Sequence, residues 1–250
     1  TSALDGQTNL PVNTIFEQID DTPTYYWKQS DNTWKIDGTL PTPDAWWDMS
    51  ASDTTISNVT DKTGNGNTLV QSTSSKRPSV ASSAQNGLNA LQFDENNEYL
   101  YTTDTMTLTP KQTIFYVGKI VKGTTNTGWN FYVWDGDGIH NSLIQFQNNW
   151  RLYDADFGDL SETSWSRWLQ LTVQFNGSSS FLRDNGVQTD NPDGVLKTEN
   201  TRKFILNGYT NSGGYGGANT VGEVIIYNRI LNSTEIEKVE TYLKDKWGTP

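Results

Sequence analysis

The chain has 250 residues, no cysteine and a formal net charge of −11 at pH 7. This length suffices for one all-β domain with a substantial core, and the lack of cysteine excludes disulfides and thiol chemistry. The acidic balance argues against nucleic acid as a partner, and no apolar run approaches the roughly 20 residues that membrane insertion requires.

Residues 1–40 are predicted to form a small β-meander. Turn residues (Asp, Asn, Pro and Ser) separate three strand-like runs, which lie at residues 14–19, 24–29 and 33–36. A sheet of this size is marginal alone, so it should pack on a neighbour. Residues 38–43 form the expected hinge. We therefore expect an attachment or assembly segment at residues 1–40 and the main domain at residues 41–250.

The main domain is predicted to be all-β with one helix at its end. Short apolar runs alternate with Gly, Asn and Asp turns, and Asn185-Gly186 is a typical hairpin pair. An apolar strand over residues 222–231 leads directly into an amphipathic helix that ends before Gly248. Asn232 or one of the next two residues can cap the first turn of this helix.

Four stretches in chain order carry a family resemblance, and they lie at residues 46–53, 86–94, 168–175 and 222–248. They resemble laminin-G-like, concanavalin A-like lectin–glucanase domains of bacterial and viral surface proteins. The likeness spans residues 43–248. It implies an antiparallel β-sandwich of the jelly-roll type, with one C-terminal α-helix.

A second resemblance concerns residues 10–39, which are similar to a short segment of phage tail and other viral surface proteins. It implies an extracellular location on the virion surface, where other virion subunits would be partners and the protein would be a homo-oligomer. A polar composition rich in Asn, Thr, Ser and Gly agrees with life outside cells.

Catalytic carboxylates are not evident in the sequence. Retaining glycan hydrolases of this superfold carry Glu, Asp and Glu on alternate strand positions, which places their carboxyl groups about 5 Å apart. No such run occurs, and residues 94–98 have carboxylates at another spacing in an Asn-rich turn. His140, the only histidine, has no catalytic motif beside it. The sequence therefore predicts a protein that is not an enzyme, with no catalytic residue.

Two Asp-rich loops are candidates for a calcium site. Calcium prefers a flexible shell of six to eight oxygen ligands, and short loops with several carboxylates can supply them. The candidate ligands are Asp135, Asp137, Asp154 and Asp156. Neither loop matches the twelve-residue calcium loop, and Asp-Gly pairs also form ordinary tight turns.

Aromatic rings and amide side chains cluster between residues 126 and 159, as they do in lectin sites. A Gly-rich loop at residues 209–217 adds two tyrosines. The candidate carbohydrate-binding residues are Trp129, Trp134, His140, Trp150, Tyr153, Tyr209 and Tyr215. Because aromatic residues at alternate strand positions also form cores, some of these rings are expected to be buried.

These observations favour a non-catalytic, lectin-like virion surface or tail-fibre protein that binds glycans on a host surface, with calcium as a candidate cofactor. Ring stacking and hydrogen bonding would give a weak single site, and many copies on one particle would supply avidity. One alternative is a purely structural capsid or fibre decoration protein. A second alternative is a glycan hydrolase or lyase whose site is not recognisable from sequence.

Overall fold

The structure is a computed structural model of residues 1–250. It describes residues 40–51, 56–94, 98–120, 166–188, 203–208 and 217–250 in full, and elsewhere the backbone of individual strands.

The N-terminal segment contains the predicted meander. Its strands are β1 (Ile15–Gln18), β2 (Thr24–Lys28) and β3 (Trp34–Ile36). They pair antiparallel in the order β1-β2-β3. The prediction of a three-stranded meander is therefore confirmed, whereas the domain boundary at residue 40 stays a prediction.

After residue 40, the described residues form short strands, two single-turn helices and one long helix. The strands are β4 (Ala45–Asp48), β5 (Asn58–Val59), β6 (Leu69–Val70), β7 (Ser79–Gln85), β8 (Leu88–Phe93), β9 (Leu100–Thr102), β10 (Met106–Leu108), β11 (Gln112–Ile120), β12 (Trp129–Trp134), β13 (Ser142–Phe146), β14 (Asn149–Tyr153), β15 (Leu160–Ser161), β16 (Trp168–Phe175), β17 (Phe181–Asp184), β18 (Val187–Asp190), β19 (Asn200–Arg202), β20 (Ile205–Leu206) and β21 (Asn219–Tyr227). The 3-10 helices are Met49–Ala51 and Ser74–Lys76, and the α-helix α1 is Ser233–Trp247.

Two eight-stranded antiparallel sheets form a β-sandwich. The helix-side sheet has the order β18-β17-β16-β11-β21-β8-β7, and β4 also pairs with β21. The outer sheet has the order β15-β14-β13-β12-β20-β9-β6-β5, and β10 pairs separately with β19. This architecture, in which the α-helix of the described chain lies at its C-terminal end, confirms the predicted all-β sandwich.

The central strands of the helix-side sheet are buried on both faces. In β11, Ile114 and Tyr116 belong to the core between the two sheets, whereas Phe115 and Val117 belong to a second core beneath α1. This alternation follows from the two-residue period of a strand, and here both sets of side chains are apolar or aromatic. The domain therefore has three layers: outer sheet, helix-side sheet and α1.

Helix α1 begins and ends where the sequence predicts. The Asn232 side chain accepts a hydrogen bond from the Glu235 backbone N–H, and the Glu235 side chain accepts one from the Asn232 N–H, which completes a capping box. Gly248 adopts the left-handed conformation at φ 61° and donates its N–H to the Lys244 carbonyl oxygen. The predicted apolar face packs on the helix-side sheet through Ile236 and its neighbours on that face.

A buried polar network anchors α1 to the sheet. Glu223 in β21 is fully buried, and its carboxylate accepts hydrogen bonds from the indole N–H groups of Trp46 (2.6 Å) and Trp247 (2.7 Å) and from the Tyr242 hydroxyl (2.8 Å). The Lys246 ammonium donates to the same carboxylate at 2.7 Å. Burying a carboxylate is tolerable only when it is this fully satisfied.

Lys246 links this carboxylate to a second one. Its Nζ lies 2.7 Å from Asp48 Oδ2 at the end of β4, and its side chain is only 1% exposed. Burial raises the pKa of Asp48, but the charges of Lys246 and Lys62 and hydrogen bonds from Lys246 and Ser50 outweigh it, so the net pKa lies well below the usual range. Burial lowers the pKa of Lys246, whereas Asp48 and Glu223 raise it, and the net direction is upward. Asp48 and Lys246 are therefore both charged at neutral pH.

Candidate functional site

A row of polar side chains lies on the helix-facing side of β16. Gln170, Thr172 and Gln174 alternate with apolar residues that enter the core between the sheets. The Gln174 amide donates to the Leu231 carbonyl oxygen at 3.0 Å, and the Thr172 hydroxyl donates to Glu240 Oε1 at 2.7 Å. Each of the three is less than a tenth exposed; Gln170 and Gln174 line cavities beside α1, and Thr172 lies between them on the strand. They define one wall of a groove, called here the helix-side groove, between α1 and the β16–β18 part of the sheet.

One end of this groove is a cavity beside the first turn of α1, the Phe181 cavity. Its volume is about 350 Å³. Amide and hydroxyl groups of Gln174, Gln188 and Ser233 line it together with the half-buried ring of Phe181 and the apolar side chain of Ile236. Small-molecule sites have volumes of roughly 300–1,000 Å³ and combine an apolar surface with a few polar groups. The cavity matches this description.

The other end is a smaller cavity beside the last turns of α1, the Lys244 cavity. Its volume is about 210 Å³. Gln170, Asn185 and Thr241 contribute polar uncharged groups, and Glu237 and Lys244 contribute opposite charges. This end of the groove is therefore more polar than the Phe181 cavity.

An ion pair separates the two cavities. An Arg183 guanidinium nitrogen lies 3.3 Å from Glu240 Oε2, and Arg183 also donates to the Gly186 carbonyl oxygen at 2.7 Å. Burial raises the pKa of Glu240, while the hydrogen bond from Thr172 and the charge of Arg183 act in the opposite direction; the net shift is upward. The pair joins β17 to α1, so it fixes the width of the groove at its middle.

The hairpin that joins β17 to β18 forms the outer rim of the groove. Asn185 and Gly186 have φ values of 49° and 80°, the two left-handed residues that a type I′ turn requires. The Asn185 side chain accepts a hydrogen bond from the Gln170 backbone N–H at 2.9 Å, which ties the turn to β16. The structural role predicted for the Asn-Gly pair is therefore confirmed. The same turn forms the outer rim of the groove.

Together these groups can bind a polyhydroxylated ligand. The Phe181 ring can pack on an apolar sugar face, and the amides can both donate to and accept from hydroxyl groups. Sequence reasoning missed this groove because its polar residues are dispersed along the chain. The available signal was the alternation of Gln and Thr with apolar residues in residues 168–175.

The predicted aromatic site falls on strands of the outer sheet for which only the backbone is described. Trp134 pairs with Ile205 at one end of β12, and Tyr153 pairs with Ser142 at the corresponding end of β14. Trp129 lies at the opposite end of β12 and pairs with Phe146. Since β12 has six residues, its two ends are about 17 Å apart. The register thus brings the strand positions of Trp134 and Tyr153 together and separates Trp129 from them.

Trp150 lies in the same half of the outer sheet as Trp129, because it pairs with Gln145 on β13. His140, Tyr209 and Tyr215 lie outside the described residues, as do the candidate calcium ligands Asp135, Asp137, Asp154 and Asp156. The carbohydrate and calcium assignments of all these residues stay predictions.

Metal-binding clusters and membrane-spanning helices are absent from the described part of the chain. Within it, no group of three or more His, Cys, Asp or Glu side chains could hold a metal ion. Among the same residues, no helix is both long and apolar enough to cross a bilayer.

Comparison with known proteins gives structural matches only. No family model matches the chain, and no curated protein matches its sequence. A sialidase from Trypanosoma rangeli, solved with sialic acid, covers 94% of the chain at 14% identity with a TM-score of 0.60. The binding domain of Paraclostridial Mosquitocidal Protein 1 covers 84% at 17% identity with a TM-score of 0.62. Domain 4 of an extracellular arabinanase from Geobacillus stearothermophilus, solved with arabinotriose, covers 80% at 15% identity with a TM-score of 0.51.

These matches establish the fold and correct one prediction. The sialidase and the toxin binding domain are β-sandwiches of the jelly-roll kind, so the predicted fold class is confirmed. The expectation that the protein is not an enzyme, which came from the lack of recognisable catalytic motifs, is wrong because sialidases, which are glycan hydrolases, share this fold. The chain spans less than half the length of the sialidases it matches, 45% and 38% in two structures. In contrast, it matches 98% of the arabinanase domain and 55% of the toxin binding domain.

Proposed function

We propose that the protein is a carbohydrate-recognition domain that binds glycans in the helix-side groove. The single observation that carries the proposal is the Phe181 cavity, which combines a half-buried ring with amide and hydroxyl groups in a volume of about 350 Å³. Sugars present apolar C–H faces and hydroxyl rims, and this lining is complementary to both.

The structural neighbours support the same class of ligand. One was solved with sialic acid and another with arabinotriose. The arabinanase domain is the most informative, since the match covers 98% of it and this unit was solved with an oligosaccharide. Because identity is 15% or below in both cases, the neighbours do not identify the sugar.

The biological setting belongs to the proposal as well. The laminin-G-like motifs and the viral likeness of residues 10–39 support a virion surface or tail-fibre protein that contacts host glycans and other virion subunits. Residues 1–40 would then attach the domain to neighbouring copies. Calcium held by the two Asp-rich loops, and a further contact at Trp134 and Tyr153, are parts of this proposal that need their own test.

Glycan hydrolysis is a second candidate function, and the sialidase neighbours favour it. Glu237 and Glu240 place carboxyl groups in the Lys244 cavity, and burial raises the pKa of Glu240, as a general acid requires. Release of reducing ends from a polysaccharide panel, abolished in Glu240→Gln but retained in Glu98→Gln, would establish this function. Reducing ends that persist in Glu240→Gln would show that another group is the acid.

A glycan array tests the main proposal. We expect the purified protein to bind a defined glycan class, first with calcium and then with a chelator, and to lose that binding in Ser233→Ala and Gln188→Ala. Thr234→Ala and Gln92→Ala are matched controls, because both residues are exposed and lie outside the groove. Binding that is lost only in Trp134→Ala would move the site to the outer sheet. Silence under both conditions would contradict the proposal and favour a structural virion component.

A further inference from the structure

The two cavities of the helix-side groove follow the same side of α1. Ser233 and Ile236 line the Phe181 cavity, and Thr241 and Lys244 line the Lys244 cavity. A helix rises about 1.5 Å per residue, so the groove runs for about 16 Å between Ser233 and Lys244.

The strand wall of the groove has a matching length and direction. Gln174 bonds to the Leu231 carbonyl oxygen just before α1, and Gln170 accepts a hydrogen bond from Thr249 just after it. The polar row on β16 therefore runs antiparallel to α1, and at about 3.3 Å per residue it spans about 13 Å. Helix and strand thus present polar groups along a common path rather than around one point.

The Arg183–Glu240 ion pair forms a bridge between β17 and α1 at the middle of the groove. Arg183 and Glu240 satisfy each other, and Thr172 and Gly186 complete their hydrogen bonding. Gly186 lines both cavities, so they meet at the bridge. A ligand that passes over the bridge can therefore use polar groups on both sides without breaking the ion pair.

We propose that the ligand is an extended oligosaccharide of at least two rings that lies along α1, with one ring in each cavity. This inference rests on the proposed glycan function and specifies its ligand class. One ring packs on Phe181, and the next ring contacts Thr241 and Lys244. A groove of this length exceeds a single pyranose ring, and Gln170 and Gln174 of β16 line different cavities.

Isothermal titration of the full chain with sugars of increasing length tests the inference. Suitable probes are arabinose against arabinotriose, glucose against cellotriose, and sialic acid against sialyllactose. For the series that binds, we expect the longer sugar to bind at least about tenfold more tightly than its monosaccharide. Lys244→Ala should remove most of that gain, whereas Gln188→Ala should weaken the binding of both the monosaccharide and the longer sugar.

Matched controls separate these effects from charge and folding. Lys238→Ala makes the same charge change on an exposed helix position outside both cavities, so it should bind like the wild type. Equal affinities for the monosaccharide and the longer sugar, or equal losses in Lys244→Ala and Lys238→Ala, would overturn the extended ligand while leaving glycan binding intact. Failure of every probe and of the glycan array to bind would instead refute the proposed function itself.

Discussion

Replacing Lys246 with methionine should strongly destabilise the domain. The ammonium group lies 2.7 Å from both Asp48 and Glu223 and is almost completely buried. Methionine keeps the apolar stem but leaves the buried Glu223 carboxylate and the largely buried Asp48 carboxylate without their shared cation. Removing one partner of a buried ion pair typically costs about 3–5 kcal/mol. Glu223 keeps its indole and phenol donors and Asp48 keeps Ser50, so we expect about 3 kcal/mol, the lower end of that range.

Urea unfolding followed by tryptophan fluorescence at pH 7 measures this loss. Lys238→Met is the matched control, because Lys238 is exposed on the same helix, and it should change stability by less than about 0.5 kcal/mol. Adding Asp48→Asn to Lys246→Met should restore part of the lost stability, since it removes one of the two carboxylates that have lost Lys246.

The pH dependence of the same variant provides a second check. In the wild type the pKa of Asp48 lies below its ordinary 3.8, so its contribution is present above that value and is lost as pH falls. Without Lys246, burial favours the protonated form of the Asp48 carboxyl. Acid should therefore reduce the destabilisation of the Lys246→Met variant. The stability gap between wild type and variant should therefore narrow from pH 7 to pH 4. A loss at pH 7 no larger than that of Lys238→Met would refute the view that this network anchors α1.

Three further predictions concern the same layer. Gly222→Ala places a Cβ 2.7 Å from the Trp247 ring and should cost about 1–3 kcal/mol in urea unfolding; an unchanged midpoint would mean that the ring can shift freely. Asn232→Ala removes the helix cap and should cost about 1 kcal/mol, with Thr234→Ala as the control; equal effects would argue against the capping box. Asp48→Asn should destabilise most near neutral pH and least in acid, as followed by thermal unfolding; a pH-independent loss would contradict the lowered pKa of Asp48.

The sequence was sufficient for the C-terminal helix because its signals are local. Asn232, Glu235 and Gly248 lie within one or two turns of the groups that they cap, and the spacing of the apolar residues specifies the buried face. The role of Lys246 was different. Its position near the helix end predicts a favourable interaction with the helix dipole, whereas the structure shows a buried ion pair with Asp48 and Glu223. That role depends on which strand the helix covers, which the local sequence does not specify.

The helix-side groove could be predicted only in part. Alternation in β16 indicates a strand with one apolar face, and such a pattern normally places the polar face in water. In this fold α1 covers that face instead, and the partners of Gln174, Thr172 and Gln170 lie 57, 68 and 79 residues further along the chain. Because these contacts are set by tertiary packing, the alternation in β16 shows a polar strand face but not that this face lines a groove beneath α1.

The aromatic residues illustrate the same limit. Sequence clustering favoured rings between residues 126 and 159 as a ligand surface, whereas strand register places Trp129 and Trp134 at opposite ends of β12. Elsewhere, Trp46 and Trp47 are neighbours in sequence but enter different cores, because adjacent strand residues point to opposite faces. Closeness of aromatic residues along the chain therefore does not by itself place their strand positions together.

Amide chemical-shift mapping with a glycan selected on the array tests the central claim most directly. If glycans bind in the helix-side groove, saturable shifts should concentrate at Gly186, Gln188 and Ser233 and extend toward Lys244 with a longer sugar. Shifts confined to the strand ends at Trp134 and Tyr153, or no saturable shift with any selected glycan, would contradict it.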